Sequence, residues 1–197
     1  MTVCTGNICR SPMAEVVLRD RLDAAGLGER VVVDSTGVSD EERGNPIDRR
    51  ARSALAARGY DVPRHAARRV RPADLAGRDL VLAMTAAHAR ALRRIAPDAA
   101  AAARVVLFRT FDPAAPPVRR AGGPRAEEDP ARHASVPGLP APADAVDPRD
   151  EHLLDVEDPW YGGPADFEQC LDEIEAAADG VVAAVRAALE ERDAATT

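Results

Sequence analysis

Residues 4–12, Cys-Thr-Gly-Asn-Ile-Cys-Arg-Ser-Pro, restrict this chain more than any other stretch. One short span supplies a thiol, a tight turn, a planar cation, a hydroxyl and a helix start. After a short strand, Thr5 to Arg10 is expected to curl so that successive backbone N–H groups point inward as an anion-binding nest. Gly6 is the residue expected to supply the positive-φ geometry of that curl. Pro12 suits the first helical position, which sets the positive end of a helix beneath the anion. Arg10 brings a planar fork able to clamp two phosphate oxygens. Cys4 then lies among inward N–H groups, a guanidinium and a helix N-terminus, surroundings that stabilise a thiolate. Ser11 is placed to donate a hydrogen bond to that sulfur. An inert cysteine in a turn is the plain alternative, and it leaves the arginine, the serine and the helix start without a common reason.

The rest of the chain is consistent with an ordinary enzyme core. At 197 residues it fits one domain. Hydrophobic residues make up 46% but aromatics only 3%, so the interior is expected to be mostly Ala, Val and Leu. A formal net charge of −7 argues against nucleic acid as a partner. Lysine is absent, and the arginine-dense stretches at Arg49-Arg50-Arg52, Arg68-Arg69-Arg71 and Arg90-Arg93-Arg94 lack interleaved aromatics, which reads as solvated helix faces. Three cysteines, no signal peptide and no long apolar run indicate a soluble cytoplasmic protein without membrane contact. His65, His88, His133 and His152 do not pair with cysteines at ligand spacing, so no metal is expected and each reads as a histidine without a chemical role.

Periodicity predicts a helix from Pro12 to about Ala25, a strand at Val31-Val32-Val33 ended by a turn at Asp34-Ser35-Thr36-Gly37, and a helix over about 48–58. A buried strand follows at Asp79–Met84, then a helix capped by Thr85, a strand at Arg104–Phe108, and a long helix from Pro164. On that last helix Phe167, Leu171, Ile174, Ala178, Val181, Val185 and Leu189 form an apolar stripe. Cys170 lies on the stripe as a small core residue, and Gly180 is expected to weaken the helix. Alternating strands and helices predict an α/β fold: a three-layer αβα sandwich around a central parallel sheet of about four strands, with the Cys4 loop between the first strand and the first helix. From about Ala114 to Glu151 the chain is rich in Pro, Ala and Gly and poor in large apolar residues, which predicts an insertion without fixed structure inside the single domain spanning 1–197.

The segment CTGNICRSPMAE resembles the phosphate loop of the low-molecular-weight protein tyrosine phosphatases, and Asp158-Pro159-Trp160-Tyr161-Gly162 resembles that family's second marker. The resemblance covers residues 1–113 and 152–192. It implies hydrolysis of phosphotyrosine monoesters in proteins or peptides through a phosphocysteine intermediate, with no cofactor and no metal. Cys4 would be the nucleophile, Arg10 the phosphate clamp and Asp158 the general acid and then base. Thr5, Gly6, Asn7, Ile8, Cys9, Arg10 and Ser11 would bind phosphate, while Glu41, Trp160 and Tyr161 would line the substrate cleft. Asp158 has a plainer reading as a helix cap, and Asp155 and Glu157 are neighbouring rivals. Asn7 resembles the family's loop-stabilising asparagine, and His65 falls where some members carry a supporting histidine. Cys9 matches a second loop cysteine, which either guards Cys4 by forming a disulfide under oxidation or merely packs. The protein is expected to be a monomer.

The chain also departs from the family pattern. Only Met1-Thr2-Val3 precede Cys4. A truncated central strand is expected to lose core and ladder hydrogen bonds, which leaves open a catalytically weak phosphate-binding or redox-sensing module. Glu41 and Glu42 stand where many relatives carry a large apolar residue, and Thr85 and Ala87 where relatives often have Asp and Asn. Arginine phosphatases of the same fold are the enzymatic alternative. They typically carry threonine at the position of Ile8, so Ile8 and the Trp160-Tyr161 pair favour phosphotyrosine. Thiol-linked arsenate reductases need further cysteines, and none lies between Cys9 and Cys170.

Overall fold

The computed structural model describes residues 1–119 and 146–196. Four parallel strands run in the order β2-β1-β3-β4: β1 Thr2–Cys4, β2 Ser35–Gly37, β3 Val81–Ala83 and β4 Val105–Leu107. Six α-helices cover them: α1 Arg10–Ala24, α2 Arg49–Ala57, α3 Pro72–Ala76, α4 Ala86–Ile95, α5 Ala99–Ala103 and α6 Pro164–Thr196. Side chains alternate across the sheet as strand geometry requires. Leu82 and Met84 join Met13, Val17, Leu55, Phe167 and Ile174 in a core beneath α1, α2 and α6. Val3, Val81 and Ala83 join Leu75, Leu92 and Leu107 in a second core beneath α3, α4 and α5. The αβα sandwich expected from the sequence is therefore the fold.

β1 is central and hydrogen-bonded on both edges, pairing Thr2 with Ser35 and Leu82, and Cys4 with Gly37. The strands flanking it are also three residues long, and the Met1 carbonyl accepts from Leu82 N.

Several local expectations are corrected. The helix α1 begins at Arg10, which puts Pro12 third rather than first; its missing N–H is harmless there too, since the first four N–H groups have no intrahelical partner. The valines at 31–33 are not a strand, and Val32 is 83% exposed. The ladder instead uses Ser35-Thr36-Gly37, the residues that read as a turn, because the strand beside Cys4 must leave room for the loop. A Cβ on Gly37 would lie 2.5 Å from Thr5 O. Gly180 likewise lets α6 approach the 3₁₀ turn Phe108–Phe111, where a Cβ would meet Phe111 O.

Of the stretch expected to be an insertion without fixed structure, residues 114–119 and 146–151 are described, and they pack against the fold. Ala115, Val118 and Val146 pack against the second core, Arg119 and Asp150 pair at 2.7 Å, and the buried Glu151 binds Arg93 at 2.6 Å. The remainder of that expectation, residues 120–145, lies outside the described residues. Among the described residues no helix is long and apolar enough to cross a membrane.

Candidate active site

Cys4 ends the central strand, and α1 begins six residues later, so the loop between them closes at the carboxyl end of the sheet, where parallel α/β folds bind ligands. The positive backbone angle of the turn falls on Asn7 (φ 60°) and not on Gly6. Asparagine tolerates that region better than most residues, and here its side chain repays the choice with hydrogen bonds. Asn7 is fully buried. Its Nδ2 donates to Ser11 Oγ at 3.0 Å and Ser35 Oγ at 2.9 Å, and its Oδ1 accepts from Arg68 N at 3.0 Å. Gly6 has another use, since a Cβ there would press on Glu42 Cγ at 2.9 Å.

Five of the loop's carbonyls are taken up by donors outside it. Those of Cys4, Thr5, Ile8 and Cys9 accept from Val38 N, Ser39 N, Asp48 N and Met13 N, and that of Asn7 meets His65 Nε2 at 2.6 Å. Among the described residues no acceptor meets the N–H groups of residues 5–9. A loop with these acceptors engaged elsewhere and its N–H groups left over has the make-up of an anion-binding nest. At its base Cys4 Sγ lies 3.0 Å from Ser11 Oγ, which itself contacts Thr36 O at 3.2 Å.

Arg10 is buried, and its guanidinium faces the C-terminal part of the chain. Nη1 donates to Val156 O at 3.2 Å, and Nη2 donates to Asp158 Oδ2 at 2.6 Å. Val156 N donates in turn to Met84 O at the end of β3, so this arm is stitched to the sheet. Asp158 does not cap the last helix, which starts at Pro164; it caps the short turn before it and faces Arg10 as well. Oδ1 accepts from Trp160 N at 3.3 Å and starts the 3₁₀ turn Pro159–Tyr161, while Oδ2 meets Arg10. Its side chain remains about half exposed. Of its rivals, Asp155 is spent on Ala86 N at 2.7 Å, at the start of α4. Glu157 does not line the cleft.

These groups share one cleft of about 260 Å³, lined by Cys4, Thr5, Gly6, Ile8, Cys9 and Arg10 on the loop, Glu41 and Glu42 on one rim, and Asp158, Trp160 and Tyr161 on the other. Trp160 is 37% and Tyr161 96% exposed. The sequence-predicted site residues are thus brought together, apart from Asn7 and Ser11, which support the loop from behind. Burial, and then the carboxylate of Asp48, push the Cys9 thiol well above the ordinary range, and burial raises Cys170 to about 12. Among the described residues no group of His, Cys, Asp and Glu is arranged to hold a metal ion.

Sequence reasoning missed three contributors. Arg50 was read as a solvated charge. It is pinned by Asp48, lies 4.7 Å over the Phe167 ring, and donates Nη1 to both Trp160 O and Gly162 O at 3.1 Å. Arg68 bridges Asp34 and Asp74 while its backbone holds Asn7. His88, read as chemically idle, contacts Thr5 Oγ1 at 2.9 Å. No spacing rule joins these residues to the loop, since each reaches it only through packing.

Comparison with known proteins agrees with this geometry. The family model described as low molecular weight phosphotyrosine protein phosphatase matches residues 1–119. A low molecular weight protein-tyrosine-phosphatase of Streptomyces coelicolor is 43% identical over 192 residues, covering 98% of this chain and 96% of that protein. Low molecular weight protein-tyrosine phosphatase A of Mycobacterium tuberculosis is 38% identical over 179 residues, covering 91% and 86%. Among solved structures, a low molecular weight phosphotyrosine phosphatase from Vibrio cholerae superposes with a TM-score of 0.68 at 25% identity, over 94% of each chain.

Proposed function

Since the chain belongs to the low molecular weight phosphotyrosine protein phosphatase family, we propose that it is a phosphoric monoester hydrolase that removes phosphate from tyrosine side chains of proteins or peptides. The observation that carries this reading is the convergence of Cys4, Arg10 and Asp158 in one cleft, with Arg10 and Asp158 2.6 Å apart and Cys4 at the base of a loop whose N–H groups are unspent. In this reading Cys4 Sγ attacks phosphorus in line with the ester oxygen and forms a phosphocysteine. The loop N–H groups and Arg10 hold the phosphoryl oxygens while charge redistributes among them. Ser11 Oγ, 3.0 Å from the sulfur, hydrogen-bonds the thiolate and makes it a better leaving group in the second step. Asp158 gives its proton to the departing phenol oxygen, then accepts one from the water that releases phosphate.

An aromatic leaving group fits the rim. Trp160 and Tyr161 offer ring faces beside Asp158, and Ile8 offers an apolar wall. Glu41 and Glu42 on the opposite rim favour substrates with basic residues near the phosphotyrosine. Cys9 is proposed as a guard. Its raised pKa keeps it from competing as a nucleophile, and its position on the same loop suits a disulfide with Cys4 once peroxide has oxidised that sulfur.

The test is steady-state hydrolysis of p-nitrophenyl phosphate. Turnover is expected for the native chain and none for Cys4→Ser, whereas equal rates would refute the mechanism. Parallel assays with phosphotyrosine and phosphoarginine peptides decide the substrate class. Activity lost in peroxide and recovered with dithiothreitol in the native chain, but not in Cys9→Ser, is the result expected for a guard.

A further inference from the structure

We infer that His88 is a positioning residue of this site, and that its imidazole holds Thr5 Oγ1 so that the threonine hydroxyl proton is turned into the cradle as a donor to a phosphoryl oxygen. The inference rests on the reading of the loop as a phosphate site and adds to it a side-chain donor with its own support.

The bonding inventory favours one direction for each proton. Thr85 caps α4, with Oγ1 accepting from His88 N at 3.2 Å, and the same oxygen lies 2.9 Å from His88 Nδ1. On the far side of the ring, Nε2 lies 2.9 Å from Thr5 Oγ1. A neutral imidazole has one N–H and one lone pair. If Nδ1 carried the proton, Thr85 Oγ1 would receive two donors and its own proton would have no acceptor among the described residues, while Thr5 would spend its proton on Nε2. With the proton on Nε2, the Thr85 hydroxyl donates to Nδ1 and Nε2–H donates to Thr5 Oγ1. That oxygen also has Arg10 Nη2 at 3.5 Å. With donors on the protein side at 2.9 Å and, more weakly, 3.5 Å, the hydroxyl proton is left for the cleft. Thr5 is exposed and lines the cleft.

The imidazole is well suited to the task. It is 6% exposed, and burial together with the nearby Arg10 charge holds its pKa down to about 4, so it stays neutral in working conditions. It sits at the start of α4, below the other end of the loop from Asn7. The cradle is therefore gripped from two layers, by Asn7 on the β2 side and by His88 from α4.

The experiment uses the whole chain, p-nitrophenyl phosphate as substrate and inorganic phosphate as competitive inhibitor. A hydrogen bond to a charged group is worth on the order of tenfold in binding. Thr5→Val and His88→Leu are each expected to raise KM and the phosphate inhibition constant about tenfold, with kcat changed less. Because His88 acts through Thr5, the double variant should be no worse than Thr5→Val alone. His88→Gln, whose amide places an N–H near the Nε2 position, should return to within about threefold of the native constants, a rescue that a space-filling role does not explain. Multiplied losses in the double variant, an unchanged phosphate constant in His88→Leu, or failure of glutamine would each overturn the inference. If His88→Leu does not fold, His88→Asn replaces it, since asparagine is too short to reach Thr5 and is expected to show the same rise; native constants there would overturn the inference. A native chain that neither hydrolyses the ester nor binds phosphate overturns the parent reading itself, an outcome distinct from any of these.

Discussion

The two halves of the candidate active site are built on opposite principles. The loop from Cys4 to Ser11 is largely buried and held from outside, and the fully enclosed Asn7 side chain bonds Ser11, Ser35 and Arg68. The arm from Val156 to Gly162 is rooted in the core at Val156, exposes Glu157, Asp158, Trp160 and Tyr161, and is held by two guanidinium groups, Arg10 from within and Arg50 from the flank. A cradle that must present several N–H groups to one anion gains from rigidity, because each donor misplaced costs binding. A proton donor of the kind proposed, which would also have to admit a protein-borne substrate, gains from lying at an open rim. The contrast teaches that the same ion pair can belong to both regimes: Arg10 is buried with the loop, while Asp158 is half exposed with the arm.

The sharpest way to break this comparison is Asp158→Ala. If the arm contributes chemistry and little stability, kcat for p-nitrophenyl phosphate should fall about 10²–10⁴-fold. The urea midpoint should meanwhile shift by less than about 1 kcal/mol equivalent, because a half-exposed ion pair is worth little. Asn7→Ala tests the other half. Losing buried hydrogen bonds and the residue that accommodates φ 60° should cost about 2–4 kcal/mol in urea unfolding; a cost below about 1 kcal/mol would erase the distinction between rigid cradle and open arm.

A pH series sharpens the cradle side further. The His88 imidazole titrates near 4 in the fold against 6.5 for an ordinary histidine. Between those values the unfolded chain binds the extra proton, so the stability present above pH 6.5 is lost as pH falls towards 4, by up to about 3 kcal/mol. Chemical denaturation at pH 7 and pH 4.5 should show this loss in the native chain and a smaller one in His88→Gln. The mildest effect is expected for Arg50→Ala, which removes two hydrogen bonds from the arm. About a fivefold fall in kcat, with less than about 1 kcal/mol of stability, is the expected result, and native kinetics would mean that Asp158 is held by Arg10 alone.

Legibility from sequence followed the same division. Cys4, Arg10 and Ser11 lie within one loop and one helix turn, so their chemistry could be reasoned from local geometry, and the periodic stripe of α6 was equally plain. Misreadings arose where a distant neighbour overrode local preference. Valines 31–33 have the stronger strand propensity, but the ladder was given to Ser35-Thr36-Gly37, where small size beside Thr5 O counts for more. Gly6 was the natural candidate for the positive φ, yet Asn7 took it because its amide could satisfy three partners there. Arg50 looked like surface charge, and only the stacking of α2 against Phe167 and the arm makes it a brace.

By itself the sequence determined the proposed reactive centre: a thiol, a turn, a guanidinium and a helix start in consecutive positions leave few conformations in which all are satisfied, and those conformations suit an anion. Tertiary structure alone decided which carboxylate faces that centre, which histidine grips Thr5, and which arginine steadies the arm. Those choices depend on how the helix layers close on the sheet, and contacts between residues far apart in the chain leave no periodic trace along it.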